Sequence, residues 1–303
     1  MDTFVYNKDF KRELRANSHA FGEVSFLESL AEPGITALDV GANKGLTTVA
    51  MAKKVTPDGL VYAFEAVPEY YRTLQANLSR NDIQNVKTYQ FALGDRIGRV
   101  DYYKDGGGSG IVSQDGAEKI SVKVTTLDAF AENECLGQVD LINMDCEGSE
   151  LLVLKGGERM LQKGPLKLFC EIHRGRLDAL GQSLAQLVGW LEERHFRVRP
   201  ILVDDLDKDV GYENCTHIFA SREATVPGAD NEVERLEKQL TDLKARWPAH
   251  SARPSMLEEL EELEDKLEEA KHRARRRADE SHATVRDSGV GVRITVEVEN
   301  GKD

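Results

Sequence analysis

Short apolar runs alternate with amphipathic stretches over most of the chain. The apolar runs predict buried strands because they are short and rich in β-branched and aromatic side chains. They cover residues 35–40, 60–64, 86–92, 139–144 and 166–172. The amphipathic stretches predict helices from about residue 46 and over residues 68–80, 149–161 and 177–195. Strands that alternate with helices indicate an α/β fold, in which helices cover both faces of a largely parallel sheet.

A different pattern follows the third predicted strand. Residues 99–103 and 120–124 alternate apolar and polar side chains, which predicts an inserted β-hairpin. The glycine-rich loop between them, residues 105–116, fits a lid over a site, and an ordinary surface connection fits it equally well. Residues 196–203 and 215–220 are predicted to complete the sheet.

The composition changes after residue 222, which predicts a second region. In this region apolar residues recur three and four positions apart, as in a coiled-coil seam, which predicts two helices. Pro248 and Pro254 lie between them, so the two helices are predicted to form a helical hairpin. Such a seam favours a dimer or a docked partner. Alternation over residues 290–298 predicts a half-buried strand, with a frayed terminus as the alternative. The predicted division is a domain over residues 1–222, a linker over 223–231, a helical hairpin over 232–278 and a tail over 279–303.

The formal net charge of −13 restricts the partners that we expect. Nucleic acids and anionic membranes bind through clustered Lys and Arg, so neither is predicted as a partner. The polar N-terminal segment and the lack of any apolar run of membrane-spanning length favour a cytoplasmic location. The four cysteines lack paired spacing, so no disulfide framework or structural zinc site is predicted.

The loop after the first predicted strand is the first candidate binding site. Gly41 and Gly45 permit a tight turn and close approach of a ligand to the backbone. Their spacing matches neither the dinucleotide fingerprint nor the phosphate-binding P-loop. Asp39 would repel a pyrophosphate but attract an ammonium or sulfonium, and Glu65 is placed to accept hydrogen bonds from ribose hydroxyls. Together they predict a nucleoside ligand, although either carboxylate alone could be a cap or a turn residue.

Four short segments carry a family resemblance. They are residues 39–45, Phe64-Glu65, residues 91–95 and the run Asp-Cys-Glu-Gly-Ser-Glu at residues 145–150. In this order they resemble the class I methyltransferases, and the FkbM-type O-methyltransferases in particular, over roughly residues 20–220. The resemblance implies a Rossmann-like sheet and S-adenosyl-L-methionine as cofactor. It further implies that the methionine part is lined by Gly41, Asn43 and Gly45, the ribose is held by Glu65, and the adenine is framed by Ala92 and Leu93.

The ends of the fourth and fifth predicted strands carry the candidate catalytic residues. Asp145 and Glu147 follow the fourth strand, and Glu171 and His173 follow the fifth, so the topology should bring them to one edge. Methyl transfer requires alignment of the acceptor with the methyl group and removal of one proton. His173 is the predicted base because a pKa near ~6.5 suits that task.

Several alternatives stay open at this side of the predicted crevice. His173 could be an ordinary histidine at a strand end, and Asp145 could contact the cofactor amine instead of taking part in catalysis. The same oxygen and imidazole groups could hold a divalent metal, so metal dependence is left open. His19 and Glu23, which precede the first strand, could complete a pocket or belong to an ordinary amphipathic helix.

Three functional hypotheses follow. The leading one is S-adenosylmethionine-dependent O-methylation of a hydroxyl on a small molecule, a glycan or a secondary metabolite. The second is an NAD-dependent oxidoreductase on a similar sheet, which Asp39 and the glycine spacing disfavour. The third is a non-catalytic assembly protein that acts through the C-terminal hairpin.

Overall fold

The computed structural model describes residues 3–105, 108–113 and 115–223, with scattered helical positions between residues 236 and 269. The chain divides into two compact units, Met1–Ala224 and Thr225–Asp303. In the second unit, Leu236 and Leu267 are buried in a small cluster with Leu240 and Leu263. Most of the predicted linker and the whole of the predicted terminal strand lie outside the described residues. The helical hairpin and the predicted domain boundaries therefore stay predictions.

The described part of the first unit consists of alternating helices and strands. The helices are α1 (Lys8–Leu14), α2 (Ser18–Leu30), α3 (Leu46–Lys54), α4 (Pro68–Arg80), α5 (Leu127–Asn133), α6 (Glu150–Gly156), α7 (Glu158–Leu161), α8 (Arg174–Ala179) and α9 (Leu184–Glu192). The strands are β1 (Thr36–Val40), β2 (Leu60–Phe64), β3 (Val86–Tyr89), β4 (Ala92–Leu93), β5 (Gly98–Lys104), β6 (Glu118–Thr125), β7 (Leu141–Met144), β8 (Leu166–Glu171), β9 (Arg197–Ile201) and β10 (His217–Arg222).

Seven strands form the main sheet, in the order β3-β2-β1-β7-β8-β10-β9. The first five are parallel to one another, whereas β10 is antiparallel to both β8 and β9. Successive residues of β1 face opposite sides of the sheet, so Ala37 and Leu38 belong to different apolar clusters. The predicted α/β sheet is confirmed. The strand order reverses between β1 and β7, the position at which open α/β sheets bind ligands.

The inserted hairpin is also confirmed. Strands β5 and β6 pair antiparallel, and β4 joins them as a second, three-stranded sheet. The prediction of one continuous strand over residues 86–92 was wrong. The chain leaves the main sheet after Tyr89, and Ala92 and Leu93 pair with the hairpin instead.

Local chemistry explains where the predicted helices begin and end. The predicted starts at Leu46 and Pro68 are confirmed, and Pro68 occupies the first turn, where its missing N–H costs nothing. The prediction of one helix over residues 177–195 was wrong, because two helices, α8 and α9, occupy this region. They are separated at Gly181, which has a φ of 68°, and Ser183 then starts α9 with a capping box. The predicted helix over 149–161 is likewise divided, into α6 and α7. No helix in the described part of the chain has the length and apolar character needed to cross a membrane.

Candidate functional site

The loop after β1 is wedged between the ends of two neighbouring strands. The amides of Gly41 and Ala42 both donate to the carbonyl of Phe64, at 3.1 and 2.9 Å. Gly41 has a φ of 88°, and a Cβ added there would lie 1.7 Å from the backbone oxygen of Asp145. Only glycine fits at this position, because a side chain would meet both unfavourable backbone torsion and a backbone atom. The loop is therefore fixed at the point where the strand order reverses.

Asp39 lies beneath this loop and is fully buried. Its Oδ1 accepts a hydrogen bond from Asn143 Nδ2 at 2.8 Å, and its Oδ2 accepts from the hydroxyls of Thr47, at 2.9 Å, and Thr48. Burial raises the pKa of Asp39, although the three donors oppose that shift. The carboxylate thus joins β1, α3 and β7. The direct contact with a cofactor ammonium that the sequence predicts stays a prediction, and it would require the fully buried carboxylate to become accessible.

Glu65 follows β2 and is 6% exposed. One carboxylate oxygen accepts from the Asn43 amide at 2.8 Å, and the other accepts from the Val67 amide at 2.7 Å. Burial raises the pKa of Glu65 to about 7, despite these two amides. An ionised carboxylate has about four acceptor positions, so two amides leave acceptor capacity for a ligand.

A cleft of about 590 Å³, its opening to solvent included, runs from the Gly41 loop to the inserted hairpin. Largely apolar and aromatic walls with the Glu65 carboxylate suit the adenosine part of S-adenosyl-L-methionine, whose ring is apolar and whose ribose offers hydroxyl donors, while Asp95 and Arg96 add charged groups to the lining. The predicted cofactor residues among those that line the cleft are Gly41, Glu65, Ala92 and Leu93, beside the aromatic residues Phe64, Phe91 and Tyr102. We call this cleft and the buried Asp39 the cofactor side.

Two predicted cofactor residues stand behind the cleft. Asn43, with a φ of 47°, contacts Glu65 through its amide rather than lining the cleft itself. Gly45 is the N-cap of α3, with a φ of 90°, and an added Cβ would lie 2.5 Å from Leu74 Cδ1. Both therefore position the loop and Glu65.

His173 lies at the next part of the same sheet edge, among several carboxylates. Its Nδ1 is 3.2 Å from Oε1 of the fully buried Glu150. Its Nε2 is 3.1 Å from Glu147 Oε2 and 3.6 Å from Asp145 Oδ1. The structure therefore brings together all three residues that the sequence predicts as catalytic, and it adds Glu150 behind the imidazole. We call this group, together with Glu171 and His217, the carboxylate side.

The carboxylate side concentrates negative charge in a partly buried space. Burial, followed by the charges of Glu171, Glu23, Glu147 and Glu150, raises the pKa of Asp145 well above its usual value. Burial also acts on His173 and would lower its pKa, but the surrounding carboxylates outweigh it and the pKa is raised. This environment favours keeping protons on Asp145 and His173, and it favours cationic ligands over anionic ones.

The inserted hairpin covers part of this group. Glu147 Oε2 pairs with Arg176 Nε at 3.0 Å. A Cβ added at Gly110 would lie 3.1 Å from the Glu147 backbone oxygen, and one at Gly108 would lie 2.6 Å from Arg176 Nη2. The described part of the glycine-rich loop therefore packs on the Glu147–Arg176 pair, and its glycines permit that approach.

Comparison with known families decides the identity of the fold. The family model described as the methyltransferase FkbM domain matches residues 39–198, more than half of the chain. The chain belongs to the FkbM methyltransferase family. That membership confirms the family resemblance of the sequence motifs and the prediction of S-adenosyl-L-methionine as cofactor. It gives no support to an NAD-dependent oxidoreductase or an assembly protein.

Individual relatives of this FkbM domain are distant. The 2-O-methyltransferase NoeI of Sinorhizobium fredii is 29% identical over 161 residues, which cover 46% of this chain and 63% of that protein. Methyltransferase sdnD of Sordaria araneosa is 31% identical over 153 residues, which cover 39% of this chain and 59% of that protein. The match thus spans about three fifths of the length of these relatives. Fibrillarin from Aeropyrum pernix, solved with natively bound S-adenosyl-L-methionine, is 15% identical with a TM-score of 0.38, covering 63% of this chain and 67% of that one.

Several residues of the FkbM domain site were missed by the sequence reasoning. Tyr102 lines the cleft from β5, and burial, followed by the charges of Glu65, Cys146, Asp145 and Glu147, raises its pKa. The alternation that predicts the hairpin places Val100 and Tyr102 on one face, so a signal was present. His217 gave no such signal, because only the antiparallel register of β8 and β10 places it opposite Glu171.

Proposed function

We propose that this FkbM-family methyltransferase transfers a methyl group from S-adenosyl-L-methionine to a hydroxyl oxygen on a small molecule, glycan or secondary metabolite. The observation that carries the proposal is the position of His173. Its imidazole is held by Glu150 on one side, while Nε2 meets Glu147 and Asp145 on the other, next to a cleft that fits adenosine. Oxygen methylation requires a proton acceptor at that place, since a hydroxyl must lose its proton as the bond to carbon forms.

The protein's own residues perform three tasks in this proposal. Glu65, fixed by the Asn43 and Val67 amides, accepts hydrogen bonds from the ribose hydroxyls and so orients the cofactor. When bound, S-adenosyl-L-methionine supplies a methyl group on a sulfonium, whose sulfur keeps the bonding electrons. The acceptor oxygen forms the new bond to carbon, and its proton passes to Nε2 of the neutral His173 ring, in which Nδ1–H donates to Glu150. The surrounding carboxylates, which raise the pKa of His173, then stabilise the imidazolium that forms.

The function of a relative supports oxygen as the acceptor atom. NoeI, which is 29% identical over 161 residues, is a 2-O-methyltransferase. The acidic surroundings of His173 add a physical argument, because they favour a neutral or cationic acceptor over a phosphorylated one. A neutral polyhydroxylated acceptor fits both observations.

Paired substitutions at the two sides test the division of roles. We expect Glu65→Ala to weaken S-adenosylhomocysteine binding about tenfold or more in calorimetric titration, because the ribose loses a charged acceptor. His173→Ala should leave that binding within about twofold and should slow methyl transfer to a responsive hydroxyl acceptor by roughly 100-fold, the usual contribution of a general base. Equal loss of cofactor binding in both variants would refute the division.

A search with neutral sugars and phenols as acceptors tests the acceptor class. Mass spectrometry and NMR of the product would show whether the methyl group is attached to oxygen. Titration with NAD provides the cofactor control. Binding of NAD without binding of S-adenosyl-L-methionine, or a methyl group found on nitrogen or carbon alone, would contradict the proposal.

A further inference from the structure

Two histidines and a carboxylate from three different elements converge beside His173. His19 is in the first turn of α2, Glu171 ends β8, and His217 begins β10 directly opposite Glu171. His19 Nε2 is 3.5 Å from Glu171 Oε1, and His217 Nε2 is 4.0 Å from Glu171 Oε2. One nitrogen or oxygen from each of the three side chains lies within 4.8 Å of the others. Ligand atoms of a tetrahedral zinc ion stand roughly 3.3–3.5 Å apart, so small side-chain shifts would suffice.

His217 presents a buried ring nitrogen that has no hydrogen-bond partner in the described part of the chain. The residue is 1% exposed, and Nε2 is the atom without a partner. Its other nitrogen, Nδ1, is 3.1 Å from the Thr216 hydroxyl oxygen. That hydroxyl donates its single proton to the Ile201 carbonyl and accepts from the Val203 amide. Nδ1 must then carry the proton of the imidazole, which leaves a lone pair on Nε2 directed toward Glu171.

A cation held between a lone pair and a carboxylate would satisfy both groups. The Phe169 ring stacks on His217, with centroids 4.5 Å apart, so the imidazole is held in place. Burial lowers the pKa of His217 to about 3, which keeps the ring neutral and suited to bind a metal.

The surroundings of His19 match those of a metal ligand as well. While Nε2 faces Glu171, Nδ1 is 3.3 Å from Asp204 Oδ2. Histidines that bind metals usually donate their other ring N–H to a carboxylate or carbonyl, which fixes the tautomer and increases basicity. The Ser18 hydroxyl holds Asp204 in turn, at 2.9 Å. Both imidazoles therefore have a hydrogen-bonding partner on the side that faces away from Glu171.

A neighbouring trio, Asp145, Glu171 and His173, also has compatible distances, but it is less suited to a metal. Both nitrogens of His173 are engaged by carboxylates, Nδ1 by Glu150 and Nε2 by Glu147. The trio of His19, Glu171 and His217 instead has an unused nitrogen aimed into it. A metal bound by this trio would give the buried His217 Nε2 the partner that it lacks in the described part of the chain.

We propose that His19, Glu171 and His217 bind one divalent transition-metal ion beside the cofactor cleft. Two imidazoles and one carboxylate are the ligand set of several catalytic zinc sites and of non-haem iron sites, and they disfavour Mg²⁺, which prefers oxygen ligands. Three protein ligands leave coordination positions for water or a substrate oxygen. The partial exposure of His19, at 37%, provides a route of entry. This site is independent of the proposed methyl transfer and can be tested without it.

Direct metal binding by the 303-residue protein tests the proposal. After dialysis against a chelator, the protein is titrated with Zn²⁺ by calorimetry, with Co²⁺ by visible absorption and with Mg²⁺ as the contrast. We expect one Zn²⁺ site that is at least 100-fold weaker in His19→Gln and in His217→Gln. Asp204→Asn should weaken it about tenfold, the low end of the effect of a group that orients a ligand. His195→Gln is the matched control, because His195 is exposed and belongs to neither group of possible metal ligands, and it should bind Zn²⁺ like the unmodified protein.

Several outcomes would overturn the proposal. They are the absence of Zn²⁺ binding, binding that His19→Gln and His217→Gln leave unchanged, and a Co²⁺ spectrum identical in both variants and the unmodified protein. In those cases His19 bridges Glu171 and Asp204 without a metal, and any metal that binds does so elsewhere in the protein. If His217→Gln does not fold, as judged by circular dichroism, Glu171→Gln replaces it with the same expected loss. Because cofactor and acceptor are absent from the titration, its failure is distinct from a failure of the proposed methyl transfer.

Discussion

The cofactor side and the carboxylate side lie on the same edge of one sheet, yet they satisfy their buried charges differently. On the cofactor side, Asp39 accepts three hydrogen bonds from side chains and Glu65 accepts two from backbone amides. On the carboxylate side, buried atoms without a hydrogen-bond partner in the described part of the chain occur on three residues, Asp145, Glu150 and His217. The first region is complete as folded, whereas the second has groups that a ligand would satisfy.

This difference indicates which interactions the fold makes on its own. A buried polar group without a partner costs about 1–3 kcal/mol, so a protein keeps such groups where their use offsets the cost. The cofactor side is preorganised, so its side chains should bind S-adenosyl-L-methionine without rearrangement. The carboxylate side has buried atoms that an acceptor, a proton or a metal ion would satisfy, so its state should depend on what is bound.

The largest expected effect tests the point at which the two sides touch. Gly41→Ala would place a Cβ against the Asp145 carbonyl, 1.7 Å away, at a φ of 88°. We expect the free energy of unfolding in urea to fall by at least about 3 kcal/mol, because torsional strain and a clash between backbone and Cβ add together. Gly34→Ala is the matched control, since its φ is 85° but an added Cβ would meet no atom within 4 Å. It should cost only about 1–2 kcal/mol, and equal losses would show that the contact is unimportant.

A second pair of substitutions compares a satisfied group with an unsatisfied one. Asn143→Leu removes the donor to Asp39 Oδ1 and should cost about 2–3 kcal/mol, because a buried carboxylate oxygen loses its partner. His217→Phe removes the unpaired Nε2 and also the Nδ1 hydrogen bond to Thr216, while keeping a ring on Phe169. These two effects oppose each other, so in metal-free protein the substitution should change stability by less than about 1 kcal/mol. Urea unfolding in the presence of a chelator measures both. A large loss in His217→Phe would mean that the imidazole is already satisfied, and the contrast between the two sides would fail.

The sequence was sufficient for the parts of the fold that depend on local chemistry. The strand over residues 60–64 and the helix over residues 68–80 have the predicted limits, because a short apolar run and a proline at the first helical turn are local signals. The prediction of one helix over residues 177–195 was wrong, although the sequence carries a local signal for a second helix start. Ser183 and Gln186 form a capping box, which starts a new helix after Gly181.

The site was predictable to the extent that its residues follow neighbouring parallel strands. His173, Asp145 and Glu147 converge because the ends of β7 and β8 must meet at one edge. His217 was not predictable, because β10 runs antiparallel and its partner Glu171 depends on register. Likewise, no pattern in the sequence indicates that Glu65 would be held by the amides of Asn43 and Val67, since that depends on how the two loops pack.

The smallest expected effect concerns the pH dependence of the cofactor side. Burial raises the pKa of Glu65 to about 7, so its folded-state value lies above that of an ordinary glutamate. Below pH 7 the free protein holds Glu65 protonated, and cofactor binding through the ionised carboxylate must first release that proton. The dissociation constant for S-adenosylhomocysteine should therefore increase about tenfold from pH 8 to pH 6, or about 1.4 kcal/mol, as measured by calorimetry.

Glu65→Gln separates this titration from every other ionisation in the protein and the ligand. The amide keeps the shape of the side chain but has no carboxyl proton to release, so the dependence that Glu65 contributes should disappear. Binding by the variant at pH 8 should be weakened to about the level of the unmodified protein at pH 6, because both then lack the charged acceptor. If the tenfold change persists in Glu65→Gln, it arises elsewhere, and the carboxylate side is the region to examine because three of its residues have a buried atom without a hydrogen-bond partner in the described part of the chain. The pH dependence would then belong to the incomplete region and not to the preorganised one.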